Sequence, residues 1–400
     1  MSSMHAQAAV AGGSADATRT TDRLEHAGLL AVFGVAIAVQ FSIAVAQSLL
    51  AVAVICWLVL VVARRERIVV PRFFWGLVAL AATTLLSAAL SPQPAQGFAD
   101  AKQLLLFLVV PVIYRFVSGQ RGTTMVTVIV SAGAISAAYG IFQYGILDYN
   151  NLDLRVRGSL GHWMTYSGLL TLVIGVALAR ILFGERDRMW AALVMPALAL
   201  AIALTFTRTA MVAACATVAL LLVLKDLRLL AVLPVLAALF FAAAPPSITA
   251  RFMSTFNMKD PTIRDRVAML SAGRAMVLAH PLVGVGPTMV EARYPEFRDP
   301  SFVEPVVAHL HNVPMQIAAE RGLPALLAWL AFVGVALVDL GRLFQEGRRR
   351  MLAAVALAAL VSMLAGGLFE YNFGDSEFLM LLLIVLTLPF AASRPAAPRA

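Results

Sequence analysis

Residues 46–67 read AQSLLAVAVICWLVLVVARRER: eighteen positions without a charge, then three arginines and a glutamate within four. A helix rises about 1.5 Å per residue, so roughly 20 apolar residues cross the hydrocarbon core of a bilayer. The stretch therefore predicts a membrane-spanning helix whose arginine-bearing end lies in the cytoplasm, where positive loops collect. The same pattern recurs along the chain. Apolar windows fall at 28–45, 46–63, 73–91, 102–118, 123–143, 165–183, 189–206, 208–224, 227–244, 323–341, 351–369 and 376–392. In lipid every backbone polar group must be bonded within its own segment, so these windows are helices. The predicted fold class is all-α, a polytopic integral membrane bundle of about twelve spans.

Composition agrees. Of 400 residues 61% are hydrophobic and 13% charged, and the mean hydropathy is +0.86. That leaves too little polar material to cover a water-soluble surface. The net charge of +9 would suggest nucleic acid in a soluble protein; here cytoplasmic lysines and arginines account for it, and no nucleic-acid partner is expected. Cys56 and Cys215 both sit inside apolar runs, with neither a disulfide framework nor metal spacing.

With the N-terminus inside, the cytoplasmic loops carry Arg64, Arg65, Arg67 and Arg72; Arg115 and Arg121; Arg180, Arg186 and Arg188; Lys225 and Arg228; and Arg342, Arg348, Arg349 and Arg350. The expected organisation is a disordered cytoplasmic tail over 1–27, a bundle of nine spans over 28–244, a periplasmic segment over 245–322, three further spans over 323–392 and a cytoplasmic tail over 393–400. The segment 245–322 is too long for a simple connection. It holds helix-like stretches near 263–279 and 308–321, and a turn at His280-Pro281-Leu282-Val283-Gly284-Val285-Gly286-Pro287.

Three polar elements then fall on the outer side: the loop 144–164, the turn at Arg208 and the segment 245–322. Arg208, in Thr205-Phe206-Thr207-Arg208-Thr209, is a cation between two apolar runs, which marks a functional position more often than a snorkelling one. Arg264 and Arg266 open a helix-like stretch, and Arg155 and Arg157 precede Gly158. Guanidinium groups facing one cavity suit a diphosphate, because their fork matches phosphate oxygens. Singly, each is more readily a solvated loop charge or half of a salt bridge. Lys102, at the outer end of a span, is a weaker candidate of the same kind.

His311 lies in His309-Leu310-His311-Asn312-Val313-Pro314-Met315-Gln316. Its imidazole suits a general base; a lone histidine is more often a hydrogen-bonded structural one, and what favours the base here is the company of the arginines and Asn312 on the same side. Two histidines at i and i+2 do not share a helix face, so no two-histidine metal site is expected. The turn Glu370-Tyr371-Asn372-Phe373-Gly374-Asp375-Ser376-Glu377 concentrates three carboxylates that could orient an arginine or bind sugar hydroxyls, or simply be solvated. No P-loop, dinucleotide fingerprint or serine elbow occurs. An enzyme acting outside the cytoplasm needs a substrate that is already activated, and a lipid diphosphate is one.

These features, taken in order, resemble the O-antigen ligase family within the O-antigen ligase/polymerase superfamily. The resemblance rests on Thr207-Arg208-Thr209; on Arg266 with His280-Pro281-Leu282-x-Gly284-x-Gly286; on His311-Asn312-x-x-x-Gln316-x-x-x-Glu320-x-Gly322; and on the final turn Asn372-Phe373-Gly374-Asp375-Ser376-Glu377. Leu270 stands where members often have an aromatic, and threonines flank Arg208 where serine and glycine are commoner. The resemblance implies a membrane-embedded glycosyltransferase of the GT-C type in the bacterial inner membrane, with its active site facing the periplasm. It implies no cofactor or metal. The donor would be O-antigen on undecaprenyl diphosphate, the acceptor a sugar hydroxyl of lipid A–core, and no protein partner would be required. Arg208, Arg266 and His311 would be catalytic; Arg157, Arg155, Arg264, Lys102, Asn312, Gln316 and Asp375 would bind substrate. The alternatives are an O-antigen polymerase or protein O-oligosaccharyltransferase of the same superfamily, and a flippase for lipid-linked glycans. The last usually buries an ion pair mid-membrane, and these spans are nearly free of charge at their centres.

Overall fold

The structure, a computed structural model, describes residues 2–243, 246–254, 261–298, 307–347 and 349–394. Among them there is no strand. The helices are α1 (Ser2–Ala38), α2 (Ile43–Ala63), α3 (Phe74–Leu90), α4 (Pro94–Asp100), α5 (Val109–Phe116), α6 (Arg121–Ile146), α7 (Trp163–Phe183), α8 (Arg188–Leu204) and α9 (Arg208–Lys225). They continue as α10 (Val232–Ala243), α11 (Pro246–Met253), α12 (Pro261–Ala279), α13 (Val290–Phe297), α14 (Val313–Gln345), α15 (Arg350–Gly367) and α16 (Ser376–Ala392). A 3-10 stretch, Ala101–Leu108, joins α4 to α5.

Among the described residues, seven segments are long and apolar enough to cross a membrane: α2, α4 to α5, α6, α7, α9, α14 and α15. Phe74–Leu90, Arg188–Leu204 and Ser376–Ala392 are apolar but shorter. The protein is a polytopic helical membrane protein. Its centre is α16, whose side chains from Phe378 to Pro389 are all buried; a helix apolar on every face belongs inside a bundle. Around it the outer helices point bulky apolar groups outward. Leu30, Val62, Met189 and Leu193 are each more than 70% exposed, an arrangement that lipid tolerates and water does not.

Two expectations are corrected. Residues 2–27 continue α1 and do not form a coil; the stretch is alanine-rich with no proline to stop a helix. The first two spans divide at 39–42, not at 45/46. That turn has no glycine or proline to announce it. Its buried Gln40 donates through Nε2 to the carbonyls of Ala36 (3.3 Å) and Ile129 (3.2 Å), which replaces the bonds a helix would make. Residues 395–400 of the expected C-terminal tail lie outside the described residues.

The loops sort into two ends. At one, Arg115 pairs with Glu25 (2.9 Å) and Glu66, Arg72 with Asp339 (3.1 Å), and Arg180 with Asp187 (2.7 Å). Lys225 Nζ donates to the Leu182 carbonyl (2.8 Å) and an Arg394 nitrogen to that of Tyr114 (2.8 Å). These links tie the arginine-bearing loops into one layer. The opposite end carries the loop 147–162, α11 to α13, the start of α14 and the turn 368–375.

At that second end α14 breaks at Gly322 (φ 80°, ψ 173°), and Pro324 follows. Leu323 N–H bonds the Pro281 carbonyl (2.8 Å), and Pro324 has no N–H, so the carbonyls of Ala319 and Glu320 lose their helical donors. The turn 280–287 supplies replacements: Val285 N–H donates to Ala319 (2.8 Å) and Gly286 N–H to Glu320 (2.9 Å). Ser87 Oγ, on α3, donates to the carbonyls of Val283 (2.6 Å) and Glu320 (3.0 Å). The glycine-proline motif read from the sequence is thus a latch that seats α12 on α14. A small apolar cluster under it, including Met269, Met276, Val290, Tyr294 and Leu310, is separate from the main core.

Candidate active site

Arg208 is the first residue of α9, after Phe206 (φ 53°) and the extended Thr207 turn the chain out of α8. Its side chain is buried and donates to the carbonyl and hydroxyl of Ser254 (both 3.1 Å). Arg266 lies on α12, on the face shared by Ile263, Val267 and Leu270. Arg264, two positions away, points elsewhere and is exposed.

His311 sits in the non-helical turn before α14 with φ 49°. A side-chain-bearing residue pays on the order of 1 kcal/mol for this left-handed geometry and keeps it where neighbours enforce it. Gln316 and Asn312 do so. Gln316, buried, accepts the Leu310 N–H (2.7 Å). Asn312 caps α14 by accepting the Met315 N–H (2.9 Å) and donates to the Leu368 carbonyl (3.0 Å). Both hold the turn.

The two imidazoles converge on Glu370. His309 Nε2 lies 2.8 Å from Glu370 Oε1, and His311 Nδ1 lies 2.9 Å from Oε2. Burial would push this carboxyl up; the two imidazole hydrogen bonds outweigh it and hold it well below the ordinary carboxylate range. The two histidines, expected on different helix faces, converge because 307–312 is not helical. Their ligating atoms and the carboxylate lie within 4.8 Å of one another, the one such group among the described residues that could hold a metal ion. Glu370 was expected to orient an arginine, bind sugar hydroxyls or simply be solvated; its partners are histidines. Its neighbour Tyr371 does meet an arginine, accepting from Arg321 (3.0 Å).

Arg208, Arg266 and His311 line one cavity of about 300 Å³, completed by Thr209, Val212, Ile263, Val267, Leu270, Leu310, Leu368 and Phe369. Two guanidiniums and an imidazole on an otherwise apolar wall can hold a doubly charged head beside a greasy tail, with a base at its edge.

The other sequence-selected residues fall outside that lining. Arg155 packs over the Trp163 ring, 4.9 Å from its centroid. Burial there, and then the charge of Arg208, pulls its guanidinium below the ordinary value, so Arg155 is within electrostatic reach of the site. Arg157 is turned to Tyr149 (3.4 Å). Its backbone N–H and that of Gly158 are clamped by Gln143 Oε1 (3.1 and 2.9 Å). Lys102 is exposed on the 3-10 stretch. Asp375 caps α16 and bonds Thr165. Sequence reasoning missed Gln143, since a lone buried glutamine carries no signal until the fold closes, and it set His309 aside by treating 309–311 as helical.

A family model described as O-antigen ligase matches residues 191–330, from α8 into α14. Over that stretch the chain is similar to the O-antigen ligase family. The matched stretch holds Arg208, Arg266, His309, His311 and the Gly322 break, and stops short of Glu370; Arg155 precedes it. No curated protein matches the chain.

Proposed function

We propose that the protein is an O-antigen ligase, a metal-independent inverting glycosyltransferase. It moves O-antigen polysaccharide from undecaprenyl diphosphate to a sugar hydroxyl of lipid A–core. The observation that carries this reading is the single cavity shared by Arg208, Arg266 and His311. Arg208 and Arg266 hold the diphosphate and meet the negative charge that grows as it leaves. His311 takes the proton of the acceptor hydroxyl while that oxygen attacks the anomeric carbon from the side opposite the leaving group. One C–O bond forms, the sugar–phosphate C–O bond breaks with its electron pair on the diphosphate, and the anomeric configuration inverts. The arginine-bearing layer at the far end of the bundle supports a periplasmic site.

The test is reconstitution with lipid-linked O-antigen and three acceptors offered separately: lipid A–core, free glycan and protein. Lipid A–core gains the polysaccharide mass. A gain only on glycan makes the protein a polymerase, and a gain only on protein makes it an oligosaccharyltransferase. With lipid A–core as acceptor, turnover persists in excess chelator. Loss of turnover that added divalent ion restores would remove the metal-free mechanism.

A further inference from the structure

We infer that Glu370 is the positioning residue of this site and that His309 locks it in register, so that His309, Glu370 and His311 act as one hydrogen-bonded unit. The inference rests on the proposed role of His311 as base.

An ionised carboxylate only accepts. Two imidazole nitrogens lie within hydrogen-bond distance of its two oxygens, so both must carry the proton. Glu370 therefore fixes opposite tautomers: the proton is on Nδ1 of His311 and on Nε2 of His309. His311 lines the cavity, and with Nδ1 committed, Nε2 is the nitrogen left with a bare lone pair for an acceptor hydroxyl. When Nε2 takes that proton, the cation forms against a carboxylate already in place. The proton passes from the acceptor oxygen to Nε2, and Glu370 keeps its charge throughout.

His309 has a separate task. Glu370 Oε1 accepts from His309 Nε2 (2.8 Å) and from the Tyr371 N–H (3.1 Å). Those two bonds fix the carboxylate plane and leave Oε2 for His311. The imidazole centroids are 4.3 Å apart, so His309 also walls the His311 ring on one side. Tyr371 is held in turn by Arg321, which lies 3.5 Å from Asp100. The carboxylate is thus set by the bundle, while the histidine comes from the turn at the start of α14.

Glu370→Gln keeps size and hydrogen-bonding capacity, but its amide presents one acceptor and one donor. It cannot hold both imidazoles in the tautomers described. We expect kcat to fall on the order of 10²–10³-fold while KM for the lipid-linked donor stays within about 3-fold. Glu370→Asp recovers part of kcat. His309→Ala costs roughly 10-fold, and His309→Gln, which restores an N–H donor, recovers most of it. In protein labelled with 15N at histidine, the resonance assigned to His311 reports the Nδ1–H tautomer in the wild type and loses it in Glu370→Gln. Wild-type kcat in Glu370→Gln, with His311→Ala inactive, would overturn the unit and leave the base intact. Activity in His311→Ala would instead remove the base itself. Stoichiometric zinc in the purified protein, with turnover lost on chelation and regained on zinc addition, would overturn the hydrogen-bonded unit in favour of a metal centre.

Discussion

His311→Ala abolishes transfer in a purified assay while the protein still inserts, folds and binds the lipid-linked donor. A positioned general base is worth on the order of 10²–10⁴ in rate, or about 3–5 kcal/mol of barrier. The stability effect is smaller. The variant loses the His311–Glu370 hydrogen bond, but Glu370 keeps His309 and the Tyr371 N–H. Alanine at φ 49° carries much the same backbone strain as histidine. The net loss of stability is about 1 kcal/mol. Arg208→Ala gives an equal or larger loss of transfer, because in the proposed mechanism this buried cation meets the leaving diphosphate. It differs in one respect: Arg208 also bonds the Ser254 carbonyl and hydroxyl, so α11 loosens as well. Arg208→Lys separates the two effects, since it keeps the charge and loses the fork. Wild-type turnover in His311→Ala would end the assignment of the base; wild-type turnover in Arg208→Ala would end that of the diphosphate clamp.

The parts of this site that sequence disclosed share one property: they are polar where their surroundings are not. Arg208 between apolar runs, Arg266 at the head of a helix and His311 before a proline-started helix each stand out without knowledge of the fold. Asn312 and Gln316 also stood out, for a reason the sequence could not separate from substrate binding. A cap and a loop brace use the same groups as a sugar site. Glu370 was visible as one of three carboxylates, but its partners lie 59 and 61 residues earlier in the chain. Reading 309–311 as helical made convergence look impossible. The choice between Arg155 and Arg157 is of the same kind. Alternation in an irregular loop does not reveal which guanidinium turns inward, and Gln143, the residue that fixes the loop, is a lone glutamine inside an apolar helix. In the bundle, spans closed by arginines were easy to place, whereas the break at 39–42 was not, because a buried glutamine does the work usually left to glycine.

Gly284→Ala and Gly322→Ala should each disable the enzyme although neither residue lines the cavity. Both glycines have positive φ, 67° and 80°, and Gly322 adds ψ 173°, a region that side-chain-bearing residues hardly enter. A Cβ on Gly284 would lie 2.2 Å from the Glu320 carbonyl carbon, and one on Gly322 would lie 2.3 Å from the Leu282 oxygen. In each case the obstacle is backbone, which cannot rotate aside. Left-handed strain and overpacking together cost about 2–5 kcal/mol. The cost falls on the latch. Once the turn lifts, the carbonyls of Ala319 and Glu320 lose their donors from Val285 and Gly286, and α12 loses its seat on α14. Arg266 rides on α12 and His311 on the turn that opens α14, so their shared cavity goes with it. The bundle centred on α16 does not depend on that contact. Expected results are loss of transfer, new protease cleavage confined to 261–312 and a retained cooperative transition of the bundle in detergent. Gly334→Ala is the control: it lies in the same helix with nothing within 4 Å of an added Cβ, so it should stabilise by about 0.5–1 kcal/mol and leave turnover unchanged. If Gly284→Ala stays as active and protease-resistant as that control, the turn does not seat α12, and the convergence of Arg266 and His311 must have another cause.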